Sequence, residues 1–163
     1  MLSENERNRI AAEAAHFPDR RAAVSEALMI VQDERGWVSD EAVAEIASAL
    51  DLTREEVEGM ATGFELVFRR PVGKHVIMVC DSVSCWITGS DSLFAHLKER
   101  LGIGLGETSA DGLFTLLPAG CLGLCEQAPA ITVDGEPYGN LDAKKLDDIL
   151  SRIKEGRHGD SAH

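Results

Sequence analysis

The sequence predicts an α+β protein in three stretches: a helical bundle over residues 1–72, a smaller α/β domain over 73–155, and a disordered polar tail over 156–163. Three observations lead there. Apolar residues recur at helical spacing up to about residue 62, and the period shortens to that of strands once Pro71 and Gly73 are passed. The chain has 163 residues, 44% of them hydrophobic, enough for one ordinary domain or two small ones with a packed core. Only 5% are aromatic, so the core must be aliphatic, and the many alanines of the first third suit closely approaching helices.

Residues 3–15 read as a first helix, broken by His16-Phe17-Pro18. Asp19 is placed to cap a second helix, which runs to about Arg35 and stops at Gly36. Its Val24, Ala27, Leu28 and Val31 fall on one face. Ser39 caps a third helix, where Val43, Ile46, Ala47 and Leu50 repeat the pattern. A fourth opens with Thr53 and Glu56 as a capping box, with Leu52 and Val57 as the hydrophobic staple around it.

Beyond the punctuated stretch from Phe64 to Gly73, His75-Val76-Ile77-Met78-Val79 is an apolar run of strand length that delivers Cys80 at its end. Ser90 or Asp91 is the predicted cap of a helix containing Leu93, Phe94, Leu97 and Leu101, stopped by Gly102-Ile103-Gly104. Leu113 to Leu117 is a second strand. Ala130 to Val133 and Glu136 to Tyr138 form a hairpin, because Asp134-Gly135 supplies the positive φ of a tight turn. Asp142 caps a last helix to about Lys154. Strand, helix, strand, hairpin and terminal helix are compatible with a thioredoxin-like half.

The formal charge of -12 leaves little cationic surface for a phosphate backbone, which argues against a nucleic-acid partner. No run approaches the roughly 18 apolar residues of a membrane span. The opening MLSENERNRIAAEAAHF is acidic and polar, unlike a signal peptide, and the chain is expected in the cytosol. Thiols stay reduced there, so the four cysteines read as metal or redox ligands sooner than as a disulfide framework.

Cys80 and Cys85 enclose Asp81-Ser82-Val83-Ser84; Cys121 and Cys125 enclose Leu122-Gly123-Leu124. Both pairs follow strands, so neighbouring strands would bring four thiolates to one site. Soft thiolates select zinc, copper(I) or iron-sulfur clusters over calcium and magnesium. A 2Fe-2S cluster asks for two pairs of ligands on glycine-containing loops, and Gly120 and Gly123 let backbone N–H groups approach the sulfurs. Val83, Trp86, Leu122 and Leu124 are candidates to screen the site from water. Structural zinc remains open, although neither pair has the common C-x2-C spacing; so does thiol–disulfide chemistry, although C-x-x-C is absent.

A family likeness is carried by Pro71-Val72-Gly73-Lys74-His75 leading into Val79-Cys80-Asp81-Ser82-Val83-Ser84-Cys85, and by Asp111-Gly112-Leu113-Phe114-Thr115-Leu116 leading into Cys121-Leu122-Gly123-Leu124-Cys125 and Ala128-Pro129. With Ile30-Val31-Gln32 and Arg35-Gly36-Trp37-Val38 near the start, nearly the whole chain resembles the small ferredoxin-like subunit of bacterial NADH:quinone oxidoreductase, complex I. The resemblance implies a thioredoxin-like domain with one 2Fe-2S cluster on Cys80, Cys85, Cys121 and Cys125. It further implies exchange of electrons with FMN on a neighbouring NADH-binding flavoprotein subunit, in the peripheral arm of a membrane complex on its cytoplasmic side. Members also serve NAD-linked hydrogenases and formate dehydrogenases. Two departures stand out. Many members carry Glu where this chain has Gly120, which removes a charge beside the cluster, and many read Ala-Thr-Phe-Tyr where it has Ala61-Thr62-Gly63-Phe64.

The remaining candidates have plainer readings. Trp86 is as much a packing residue as a shield; His75, next to a ligand strand, is superfluous once four thiolates are counted; His96 faces solvent; Pro129 starts the hairpin; Lys144 and Lys145 lie on a solvated helix face. No nucleophile–base arrangement and no G-x-G-x-x-G or G-x-x-x-x-G-K phosphate motif occurs, so NADH and FMN have no binding signature here. The chain reads as an electron carrier without a catalytic site of its own, any enzyme activity belonging to the assembly.

Overall fold

The computed structural model describes residues 1–156 and divides them into two compact units, Met1–Val72 and a second that begins at Gly73. The predicted tail lies, beyond Gly156, outside the described residues.

The first unit is helical. Helix α1 (Glu4–Ala14) starts with a capping box in which the Ser3 hydroxyl accepts the Glu6 N–H and the Glu6 carboxylate accepts the Ser3 N–H at 2.6 Å. Asp19 accepts the N–H of Arg21, only two residues on, so it caps a 3-10 turn (Arg20–Ala23), and α2 (Val24–Arg35) begins later than the sequence predicts. Gly36, at φ 79°, terminates α2. Helix α3 (Asp40–Leu50) is capped by Ser39, and α4 (Arg54–Gly63) opens on the Thr53–Glu56 capping box. Ile10, Leu28, Val31, Val43, Ile46, Leu50 and Val57 fill an aliphatic core.

Polar groups fasten this unit. Arg35 donates from Nε and Nη2 to the two carboxylate oxygens of Glu6, at 2.6 and 2.7 Å, and also lies 3.5 Å from Glu45. The Gln32 amide donates to the Leu66 carbonyl at 2.8 Å and accepts the Phe68 N–H at 2.6 Å, while the Val38 N–H reaches the Phe68 carbonyl. Residues after α4 are thereby tied to α2 and its flank.

The second unit contains β1 (His75–Cys80), β2 (Glu107–Thr108), β3 (Phe114–Ala119), β4 (Ile131–Val133) and β5 (Glu136–Tyr138), in the sheet order β2-β3-β1-β4-β5. The central β1 is buried at every residue, as its unbroken apolar run requires. It pairs in parallel with β3 and antiparallel with β4. Asp134 and Gly135, at φ 51° and 86°, make the β4–β5 turn. Three helices complete the unit: α5 (Val83–Ile87), α6 (Ser90–Leu101) and α7 (Ala143–Lys154). Leu93 and Leu97 of α6 and Leu146, Ile149 and Ile153 of α7 share a core with Ile77, Phe114, Leu116 and Ile131.

The edge strand β2 is absent from the sequence reading, and two further features near the cysteines differ from it. A one-turn helix, α5, stands between the cysteines' strand and α6. The cap of α6 is Gly89, not Ser90 or Asp91: the chain leaves α5 and enters α6 through one residue at φ 107°, a conformation only glycine holds readily, and Ser90 is buried in the first turn.

Candidate metal centre

Register places the site. In the parallel β1–β3 pair Cys80 lies opposite Ala119, so both strands leave the sheet at the same end. The Asp81 N–H donates to the Ala119 carbonyl at 2.8 Å, holding the two exits together. Cys121 follows two residues after Ala119. Cys85 sits inside α5 and is the buried residue of that turn. Cys80 and Cys85 are buried, Cys121 and Cys125 exposed, and all four are thiols.

The sulfurs influence one another in a chain, Cys121 to Cys80 to Cys85 to Cys125. The Cys80 thiol lies within hydrogen-bonding reach of both Cys85 and Cys121, and Cys85 feels the charges of Cys80 and Cys125. Among the described residues no three His, Cys, Asp or Glu side chains are grouped to hold one metal ion.

Backbone N–H groups line the sulfurs. Burial pushes the Cys80 thiol up, but the N–H groups of Leu122 and Ser82 and the thiols of Cys85 and Cys121 outweigh it, so Cys80 is the more acidic of the inner pair. Burial and the Cys80 thiol push Cys85 up, against the Ala130 N–H. The Gly123 N–H approaches the Cys121 sulfur at 3.4 Å, with Gly123 at φ 74°. Such donors stabilise negative charge on sulfur.

Leu122, Leu124 and Ala128 pack, half-buried, against Cys80, Cys85 and Ala130, and so screen the inner side. Val83 and Trp86 do not: they are 65% and 59% exposed, because α5 turns Cys85 inward and these two outward. Cys125 opens a 3-10 turn (Cys125–Gln127), followed by a cis Ala128-Pro129 peptide. What supports that turn is absent from the sequence reading. The Asn140 N–H donates to the Gln127 carbonyl at 2.5 Å and the Leu141 N–H to the Pro129 carbonyl at 3.2 Å, while a Cβ at Gly139 would collide with the Gln127 side chain. The one sequence signal for it is the turn-prone Gly-Asn pair ahead of the Asp142 cap.

The other candidates are placed elsewhere. His75 is at the opposite end of β1 from Cys80, with Nδ1 2.6 Å from Asp134. His96 is not turned out to solvent but bonded to Asp147 at 2.9 Å. Lys145 donates to the Asn140 carbonyl. Around the site, residues 80–92 and 118–130 include no Lys or Arg, while Asp81, Asp91 and Glu126 are exposed there.

Three comparisons bear on this arrangement. Residues 10–154 match the family model of the thioredoxin-like [2Fe-2S] ferredoxin. The chain is 50% identical over 141 residues to the E subunit of the NADH-quinone oxidoreductase of Pseudomonas aeruginosa, covering 86% of this chain and 85% of the relative. The Escherichia coli K12 protein of the same name is 45% identical over 153 residues, covering 94% and 92%. Among solved structures, an NAD+-reducing [NiFe]-hydrogenase in the H2-reduced state superposes with a TM-score of 0.68 at 28% identity, over 85% of this chain and 22% of that chain. The thioredoxin-like expectation for the fold therefore holds.

Proposed function

The chain belongs to the thioredoxin-like [2Fe-2S] ferredoxin family, and on that premise we propose that it is the electron-transfer subunit of the NADH dehydrogenase module of an NADH–quinone oxidoreductase, its 2Fe-2S cluster held by Cys80, Cys85, Cys121 and Cys125. One observation carries the ligand assignment: the in-register parallel pairing of β1 and β3, with Cys80 opposite Ala119, which sets two cysteine loops side by side. The donor set fits. Four soft sulfurs come as two pairs, and N–H groups of Leu122, Ser82, Ala130 and Gly123 point at them.

When bound, a 2Fe-2S cluster takes up and gives back one electron at a time. The chain's own residues hold it, exclude water on the inner side through Leu122 and Leu124, and offset its negative charge with backbone dipoles. No side chain is required to move a proton. In this reading the electron partner is FMN on the NADH-binding flavoprotein subunit, in the peripheral arm on the cytoplasmic side of the membrane. No helix of the described residues is long and apolar enough to cross a membrane. A second host, the diaphorase part of an NAD-linked hydrogenase, is supported by the superposition with that enzyme. The higher identity and near full-length coverage of the relatives from NADH-quinone oxidoreductase favour the quinone-reducing complex.

Iron and acid-labile sulfide per chain, measured on anaerobically purified protein with an EPR spectrum after dithionite, test the proposal. Two irons, two sulfides and a spin-half signal are the expected result; a colourless protein with one zinc would overturn it. Cys80→Ser or Cys125→Ser with an unchanged cluster spectrum would refute the ligand assignment. Four thiolates and an acidic chain also require a low potential, and a redox titration with a clearly positive midpoint would contradict that.

A further inference from the structure

We propose that the outer face of α5 is the docking anchor through which this chain seats its metal centre against the flavin-carrying subunit. The partner face it fits is an apolar socket rimmed by Lys or Arg. The inference rests on the electron-carrier reading and adds to it a surface and the chemistry of what covers that surface.

Helix α5 is one turn long and two-sided. Its inner side holds Cys85, 2% exposed, while Val83, Trp86 and Ile87 stand outward at 65%, 59% and 73% exposure. Three large apolar side chains grouped on one turn are costly to leave in water, and a cluster of this kind marks an interaction site. Trp is the residue most enriched among those that dominate binding energy. In a chain with few aromatics, placing one of two tryptophans outward beside a ligand cysteine contributes nothing to the core of the unit.

Position and charge identify the occupant. Cys121 and Cys125 are the exposed cysteines, and Trp86 and Ile87 stand exposed on the turn that holds Cys85, so a partner that approaches the sulfurs from solvent meets these two side chains. The two cysteine loops offer it Asp81, Asp91 and Glu126 and no cation, so the complementary rim is basic. A nucleic acid has no apolar socket to present, and a second acidic copy of this chain meets the rim with like charge.

The test uses the full-length chain and the NADH- and FMN-binding subunit of its complex. A Trp86→Ser/Ile87→Ser variant is expected to keep its iron content and EPR spectrum while its affinity for that subunit falls about thirtyfold or more. Asp91→Lys is expected to weaken binding further and to flatten its salt dependence. Affinity within about twofold of the parent chain would overturn the proposal, as would sedimentation showing a dimer of this chain that the double variant dissociates. The two readings fail separately. A colourless parent chain whose binding still drops on substitution sinks the cluster and keeps the docking face; an iron-loaded chain whose binding ignores the substitutions does the reverse.

Discussion

Glu6 in the helical unit and the inner cysteines in the sheet unit are buried in different surroundings. In the first, Glu6 is almost fully buried with its cation in place: both carboxylate oxygens are taken by Arg35, which is itself shared with Glu45. Charge is matched within the unit, and the pair holds α1 against the end of α2. In the second, Cys80 and Cys85 are buried among N–H dipoles and one another, and the loops that carry them include no Lys or Arg. This contrast locates function. The helical unit pairs its buried Glu6 carboxylate on folding, while the loops that carry the sheet unit's cysteines bring no Lys or Arg of their own.

Glu6→Ala challenges that contrast most severely. It strands Arg35, although Glu45 and solvent still reach the guanidinium, so the expected cost is at the low end for a broken buried pair, about 3 kcal/mol by urea unfolding. Iron content should not change; a parallel loss of iron would show that the helical unit's charges matter to the metal centre. Acid should reproduce a large part of the effect. The Arg35 guanidinium, which donates to the Glu6 carboxylate, holds Glu6 below the usual carboxylate range. Its contribution is therefore complete above the unfolded value of about 4.3 and is lost as pH falls through the lower, folded value. Amide exchange in α1 and the C-terminal half of α2 should accelerate there, and Glu6→Gln should abolish that acid limb.

In the sheet unit the corresponding substitution is Gly73→Ala. A Cβ there would lie 2.9 Å from the Gly112 carbonyl oxygen and 3.0 Å from the Phe114 carbonyl carbon, backbone atoms that cannot move aside. Overpacking of this kind should cost about 2 kcal/mol and shift the start of the β1–β3 ladder, read as lower thermal stability and faster loss of iron to chelators. The smallest effect is expected for Thr53→Ala, which removes one half of the α4 capping box at an exposed helix end: about 1 kcal/mol, confined to the helical unit.

Much of the fold is legible along the chain. Ser39, Thr53 and Asp142 mark helix starts because a cap depends only on residues two or three positions away, and Gly36 and Gly102 mark ends for the same reason. The Asp134-Gly135 hairpin is equally local. Helix α5 escapes such reading because one turn is too short to show a period, and with it goes the orientation of Val83 and Trp86. His96 reads as solvent-facing because its partner, Asp147, lies on a different helix, α7.

Amino-acid order is thus sufficient for the helices other than α5, the main strands and the two close-spaced cysteine pairs, since periodicity, capping and cysteine spacing are properties of neighbouring residues. It does not reveal that β1 and β3 run parallel with Cys80 beside Ala119, that one cysteine pair is buried and the other exposed, or that Gly139 and Asn140 brace the turn of Cys125. Those facts come from the folded chain, because they depend on which distant segments pair and how closely their backbones approach, and that choice is made by the whole core at once.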